Sequence, residues 1–248
     1  MGSGRRPVDS GEHTGPGIVP APVIVLTVVA AIAYATFLVG SVLNPDLDFF
    51  NGYVSELSAA DQPFHYIYGA GDLVTGVLTI LVALGALRRL TRRPLATAGW
   101  AFLGLFGFFA IGDAAFPLDC APSLDTWCAL RERSGHVSLS HELHAVTSSS
   151  VVVCWLAAIV LLSLAARRYR WWPALARWGW RLAVAQTVLA ACTLTAMYMG
   201  QWLGVVQRVQ ICVLCLGLLV IAWALYADRR DAAKAARDAA AASEGARL

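Results

Sequence analysis

Six long stretches of the chain consist almost entirely of apolar residues, and shorter polar segments separate them. Each stretch has about 20 residues, which as a helix rising 1.5 Å per residue crosses a hydrocarbon core of ~30 Å. The pattern therefore predicts six transmembrane helices, over residues 18–43, 63–87, 95–116, 145–166, 182–200 and 205–227.

This pattern predicts an all-α fold, a polytopic helical bundle in one domain over residues 18–227. The polar segments 1–17 and 228–248 form its two tails. Of the 248 residues, 58% are hydrophobic and only 14% are charged, whereas soluble domains carry about 25% charged residues. A soluble core of this size cannot bury six such segments at once, so the composition excludes a soluble protein.

The basic residues predict how the bundle is oriented in the membrane. All lysines and arginines except Arg131, Arg133 and Arg208 lie in the tails or in the links after the second and fourth apolar stretches. Basic residues mark the cytoplasmic side of a membrane, so both termini are expected on the cytoplasmic side of a plasma membrane. The net charge of +3 thus reflects topology, and nothing in it indicates a nucleic-acid partner.

Ionisable residues that remain near the predicted outer face are candidates for a functional site. Glu56 lies in the first outer loop, and Asp72 lies about nine residues into the second apolar stretch. A carboxyl group at that depth is costly unless it is paired, protonated or hydrated, so Asp72 must face the bundle. It is either part of a functional site or a structural hydrogen-bonding group between helices.

The segment "GHVSLSHELH" places His136, His141 and His144 just before the fourth apolar stretch. His141 and His144 are three residues apart and share one face of a helix. With a carboxylate such as Asp72 or Asp113 they would supply the two-nitrogen, one-oxygen ligand set of a catalytic divalent metal such as zinc. The alternative is a helix that begins at the interface, with its imidazoles in water and Ser138 or Ser140 as the N-cap.

Arg208 lies a few residues into the sixth apolar stretch. Its long side chain would either reach the outer interface, pair with Asp113, or hold an anionic head group. The acidic outer loops favour the pairing.

The six cysteines divide by environment. Cys120 and Cys128 lie in the second outer loop, where oxidising conditions favour a disulfide. Cys212 and Cys215 form "CVLC" within the sixth stretch, and Cys154 and Cys192 lie at similar depth in the fourth and fifth stretches. Buried cysteine in such positions usually behaves as a small hydrophobic residue.

Three motifs recur in one known family: "VSELSAADQP" leading into "GDLVTGVLTIL", "FPLD" before a histidine-bearing segment, and "GVVQR". Through these motifs the chain resembles a bacterial family of six-helix membrane proteins catalogued as domain of unknown function 998. It covers about residues 23–227 and implies six spans but no particular activity. The residues that it singles out are Ser55, Glu56, Asp72, Asp119, His141 or His144, and Arg208.

Two weaker resemblances suggest chemistry. The pairs Cys120/Cys128 and Cys212/Cys215 are similar to the cysteines of vitamin K epoxide reductase, a quinone-linked thiol oxidoreductase, which implies thiol exchange between loop and membrane. The combination of serine, aspartate and histidines is similar to that of the alkaline ceramidases. Those have seven helices and an HxxxH motif, whereas this chain has six predicted helices and HxxH.

Three hypotheses for function follow. The first is an outward-facing intramembrane site that binds or hydrolyses a lipid or amphiphile, with Glu56, Asp72, His141, His144 and Arg208 as its catalytic candidates. The second is a thiol oxidoreductase, and the third is a non-catalytic membrane scaffold.

Overall fold

The computed structural model describes residues 15–245 and contains six long apolar helices. We call them span 1 to span 6. Most of the predicted amino-terminal tail lies outside the described residues. The six spans, in chain order, are Ala21–Leu43, His65–Arg89, Pro94–Ala115, Leu139–Tyr169, Pro173–Met199 and Leu203–Gly245. By length and composition all six can cross a membrane, and the predicted all-α bundle is confirmed.

Local sequence signals account for several helix ends. Proline occupies the first turn of spans 1, 3 and 5. Backbone N–H groups in the first turn have no acceptor within the helix, so the N–H that proline lacks costs no hydrogen bond there. Ser138 is the N-cap of span 4, and its side chain accepts a hydrogen bond from the backbone N–H of His141. Span 5 ends at Gly200 with φ of +67°, the left-handed conformation that glycine adopts at helix ends.

Spans 4 and 6 each extend beyond the boundaries predicted from the sequence. Span 4 begins at Leu139, six residues before the predicted start, so His141 and His144 lie within the helix. Span 6 continues through residues 228–245, because the alanine-rich tail has a high helix propensity.

The spans form a closed ring in chain order. Each packs against the next, and span 6 packs against span 1. We call the end formed by segments 44–64, 116–138 and 200–202 the loop end, and the opposite end the arginine end. Two short helices cover the loop end: a 3-10 turn, Val54–Ser58, and a loop helix, Thr126–Arg133.

Spans 2 and 3 cross where two glycines meet. A Cβ atom on Gly76 would lie 2.5 Å from the carbonyl oxygen of Gly107, which is closer than van der Waals contact allows. Small residues let membrane helices approach in this way. The crossing therefore fixes how closely span 2, which carries Asp72, packs against span 3, which carries Asp113.

Aromatic side chains fill the middle of the ring. The Phe106 ring centroid lies 5.7 Å from those of Tyr34 and Trp155, and Trp155 lies against Gly217 of span 6. Phe106 and Trp155 are fully buried, as are several aliphatic side chains nearer the arginine end. We call Tyr34, Phe106 and Trp155 the aromatic layer, which separates this closely packed core from the loop end.

Candidate functional site

Glu56 holds the two long loops together. Although it is charged at neutral pH as a free side chain, it is only 1% exposed. One carboxylate oxygen accepts from the backbone N–H of Tyr53 at 3.0 Å, and the other accepts from the backbone N–H and the hydroxyl of Ser123. Glu56 thus joins the first loop to the second through these hydrogen bonds.

Burial raises the pKa of Glu56 above its ordinary value, and the hydrogen bonds from Ser123 and Tyr53 offset only part of this rise. The folded chain therefore binds this proton more tightly than the unfolded chain does. The stability that this group contributes is fully present below the ordinary glutamate pKa and is lost as the pH rises through the raised pKa.

We expect Glu56→Gln to remove this pH dependence, because an amide does not titrate. Melting temperatures of wild type and variant, measured from acid to neutral pH, should show the wild type losing stability relative to the variant as the pH rises. Asp125→Asn, at the exposed N-cap of the loop helix, serves as a control for loop carboxylates. A difference between wild type and Glu56→Gln that is constant with pH would contradict the prediction.

Asp119 and His141 anchor the start of span 4. The Asp119 carboxylate accepts from the backbone N–H and hydroxyl of Ser138, and the Asp119 backbone N–H donates to Nδ1 of His141 at 3.3 Å. Burial alone would raise the pKa of Asp119, but the hydrogen bonds from Ser138 bring it below its ordinary value. Nε2 of His141 faces Glu132, 3.7 Å away. His141 is therefore engaged by loop residues.

The disulfide predicted between Cys120 and Cys128 is present. Both cysteines are buried, and the bond ties the start of the second loop to the loop helix. Cys212 and Cys215 are both free, and Cys215 is buried in span 6.

His144 lies one turn further into span 4 and has a different environment. Its Nδ1 is 2.9 Å from the carbonyl oxygen of Phe116. A carbonyl can only accept, so Nδ1 carries the proton and Nε2 of the neutral imidazole keeps a free lone pair. The hydroxyl oxygen of Ser148 is 3.3 Å from that Nε2 and 3.3 Å from Oδ1 of Asp113.

Asp113 completes this cluster from span 3. Its Oδ1 accepts from the hydroxyl of Thr147 and lies 4.0 Å from Nδ1 of His144. Asp113, His144 and Ser148 therefore form one contact group, which we call the Asp–His–Ser cluster. Asp113 and His144 are buried.

The Asp–His–Ser cluster borders a cavity of about 140 Å³ inside the ring at the loop end. All six spans and the 3-10 turn contribute to its walls. The polar residues that line it are Tyr34, Thr36, Ser55, Ser58, Tyr68, Asp72, Asp113, His144, Ser148, Gln186, Gln207 and Gln210. Apolar side chains such as Val151 and Leu214 form the remaining wall.

Gln186 is the most unusual residue of the cavity, and the sequence analysis missed it. It is 1% exposed, and neither its amide nitrogen nor its amide oxygen has a hydrogen-bond partner within residues 15–245. The other two glutamines of the wall are occupied: Gln207 accepts from the N–H of Val54 and Gln210 from the hydroxyl of Thr193. A search for ionisable residues passes over Gln186 because its amide is uncharged. The signal that could have identified it is its polarity, since hydrophobic spans rarely contain glutamine.

The predicted pairing of Arg208 with Asp113 is wrong. Arg208 donates to the carbonyl oxygens of Phe49 and Gly204, and its guanidinium lies over the Phe49 ring, 4.4 Å from the centroid. These acceptors lie at the loop end, outside the cavity, so the arginine is drawn away from Asp113. Among the described residues, neither a lysine nor an arginine lines the cavity.

The three predicted metal ligands are not brought together. Asp72 and His144 line the cavity but His141 does not, and the lone pair on Nδ1 of His141 is already used by the Asp119 backbone. Within the described residues no three His, Cys, Asp or Glu side chains are grouped so that they could hold a metal ion.

Comparison with known proteins identifies the family. The family model described as protein of unknown function (DUF998) matches residues 27–224, a range that contains spans 2 to 5 and most of the apolar part of spans 1 and 6. The chain is a multi-pass membrane protein and belongs to this family. Searches of curated proteins and of solved structures found no match. The resemblance to vitamin K epoxide reductase is not supported by these comparisons.

Proposed function

We propose that this protein binds an amphiphile whose uncharged, hydroxyl-bearing head group occupies the central cavity. The single observation that carries the proposal is Gln186, which lines the cavity and whose buried amide has no partner among the described residues. Leaving a buried polar group unsatisfied costs about 1–3 kcal/mol. A hydroxyl group can both donate and accept, so a bound head group would satisfy the amide nitrogen and the amide oxygen together.

The charges of the wall favour an uncharged ligand over an anionic one. Asp72 and Asp113 are the carboxyl groups of the cavity, and no lysine or arginine within residues 15–245 lines it. A phosphate or carboxylate placed there would meet carboxyl groups in a medium of low dielectric constant, without a compensating cation. Hydroxyl groups, in contrast, hydrogen-bond to carboxylates, amides and tyrosines alike.

The size of the cavity fits a head group and leaves no room for a whole lipid. Its volume of about 140 Å³ is close to that of an engineered cavity of ~150 Å³ that holds benzene. The acyl chain would therefore remain in the bilayer or against the apolar wall formed by Val151 and Leu214.

Two ligands with the same oleoyl chain test the proposal. Monooleoylglycerol has an uncharged glycerol head group, and oleoyl lysophosphatidic acid adds a phosphate. We expect only monooleoylglycerol to raise the melting temperature of the purified protein, by an amount that corresponds to about 2.7 kcal/mol at a concentration 100 times its Kd. Equal stabilisation by the phosphate-bearing lipid, or stabilisation by neither, would refute the proposal.

Gln186→Leu separates binding from folding. Removal of an unsatisfied amide should make the ligand-free protein more stable, whereas loss of its hydrogen bonds should weaken monooleoylglycerol binding about tenfold. Gln201→Leu, at an exposed position in the turn before span 6, is the matched control and should change neither quantity. A Gln186→Leu variant that binds as tightly as wild type would remove the basis of the proposal.

A further inference from the structure

We propose that the Asp–His–Ser cluster makes the cavity an acyl-ester hydrolase site, with Ser148 as the nucleophile and His144 as its general base. This inference rests on the proposed function, because the ester would be the bond that joins the head group to its acyl chain. The juxtaposition of a hydroxyl, an imidazole with a free lone pair and a carboxylate on the wall of one cavity carries the inference.

The tautomer of His144 suits it to act as the base. The Phe116 carbonyl accepts from Nδ1–H and so directs the lone pair of Nε2 toward the Ser148 hydroxyl, 3.3 Å away. A serine within hydrogen-bonding reach of a base that a third group orients is the arrangement of an activated nucleophile. The Oγ–Nε2 distance of 3.3 Å is slightly longer than the ~3.2 Å upper end of an ordinary catalytic hydrogen bond. Such distances are common in ligand-free sites and shorten when substrate binds.

Asp113 supports His144 electrostatically. When His144 takes the serine proton it becomes an imidazolium, and the carboxylate of Asp113, 4.0 Å from Nδ1, stabilises that charge in a medium of low dielectric constant. In the free site Oδ1 of Asp113 accepts from the hydroxyls of Thr147 and Ser148, so the Ser148 hydroxyl has to turn from Asp113 to Nε2 of His144 before it attacks the ester. Asp113 is thus a positioning residue, and it does not itself react.

The reaction would proceed in two balanced steps. Ser148 Oγ bonds to the ester carbonyl carbon as its proton moves to Nε2 of His144, and the tetrahedral adduct then expels the head-group alcohol, which takes that proton. Water next attacks the acyl-serine, again losing a proton to His144. The new tetrahedral adduct expels Ser148 Oγ, which takes that proton from His144, so the fatty acid leaves and both side chains return to their starting state.

The amide of Gln186 provides a donor for the transition state. Its Nε2 is buried and has no partner within residues 15–245, and Gln186 lines the same cavity as Ser148. Donors fixed in advance in a low-dielectric site stabilise a developing oxyanion more effectively than water does. Gln186 would therefore bind the ester oxygen as well as the head group.

A fluorophosphonate with an alkyl chain is the direct probe, because an activated serine displaces its fluoride and forms a stable phosphonyl ester. We expect the purified protein to be labelled once per chain, with mass spectrometry placing the adduct on Ser148. Ser148→Ala should abolish labelling. His144→Gln should slow it by about 10²-fold or more.

Ser149→Ala is the matched control on the same helix. Ser149 is exposed, and its hydroxyl bonds to the Ala145 carbonyl at 2.7 Å, so this variant should be labelled at the wild-type rate. A wild-type protein that binds monooleoylglycerol but is not labelled would overturn the hydrolase inference and leave the binding proposal intact. Labelling that persists in Ser148→Ala would also overturn it.

The role of Asp113 has its own readout. Asp113→Asn keeps the shape of the side chain and an acceptor oxygen for the Thr147 hydroxyl, so it removes the charge beside His144 with little change in packing. The labelling rate at saturating probe, which does not depend on probe affinity, should fall. A saturating rate equal to that of wild type would refute this role, as would a fall in the rate accompanied by a large fall in melting temperature, which is the result expected of a purely structural residue.

Discussion

Gly76→Ala should destabilise the bundle, although alanine is the better helix former. The added Cβ would lie 2.5 Å from the Gly107 carbonyl oxygen and 2.6 Å from a side-chain carbon of Ile111, and backbone cannot move aside as a flexible side chain can. Overpacking of this kind costs about 1–3 kcal/mol. Spans 2 and 3 would separate, and with them Asp72 and Asp113.

Gly69→Ala provides the same chemical change in the same helix. A Cβ on Gly69 would meet no atom within 4 Å, so this variant should be neutral or more stable by up to about 1 kcal/mol from helix propensity. The measurement is the melting temperature in detergent, together with the monooleoylglycerol shift. Equal effects of the two substitutions would mean that the crossing of spans 2 and 3 is not close-packed.

Trp155→Ala should have the largest effect of any single substitution considered. The indole is 1% exposed, contacts Phe106 and covers Gly217, so its removal loses apolar contacts and leaves an empty volume. Replacement of a buried tryptophan by alanine typically costs about 3–5 kcal/mol. Because the new cavity is apolar, added indole should fill it and restore part of the melting temperature.

Trp223→Ala is the control for this substitution. Trp223 lies in span 6 with 55% of its surface exposed, where its removal leaves no enclosed volume. It should therefore shift the melting temperature much less, and added indole should not restore it. A Trp155→Ala protein as stable as Trp223→Ala would contradict the view that the aromatic layer closes the ring.

The sequence predicted the six spans because the hydrophobic pattern depends only on the bilayer thickness, which is the same for all of them. It predicted the wrong partner for Arg208 because opposite charge alone does not decide pairing. The guanidinium of Arg208 instead donates hydrogen bonds to the backbone carbonyl oxygens of Phe49 and Gly204. The orientation of the bundle, with both termini inside, remains a prediction from the basic residues.

The sequence likewise identified some residues of the candidate site and missed others. Asp72, Asp113 and His144 were identifiable because ionisable groups in apolar helices attract attention, and all three line the cavity. His141 was grouped with His144 by helical spacing, but the Asp119 backbone occupies its acceptor nitrogen. Ser148 and Gln186 could not be found, because an uncharged polar residue reveals its role only when its neighbours from other helices are known.

The aromatic layer has a consequence for traffic through the molecule. Tyr34 borders the cavity, and Phe106 and Trp155 pack behind it toward the arginine end. Buried aliphatic side chains such as Leu162 and Leu218 follow them. In this conformation the described residues therefore close the cavity on the side of the arginine end, and the route to it lies on the loop side of the aromatic layer.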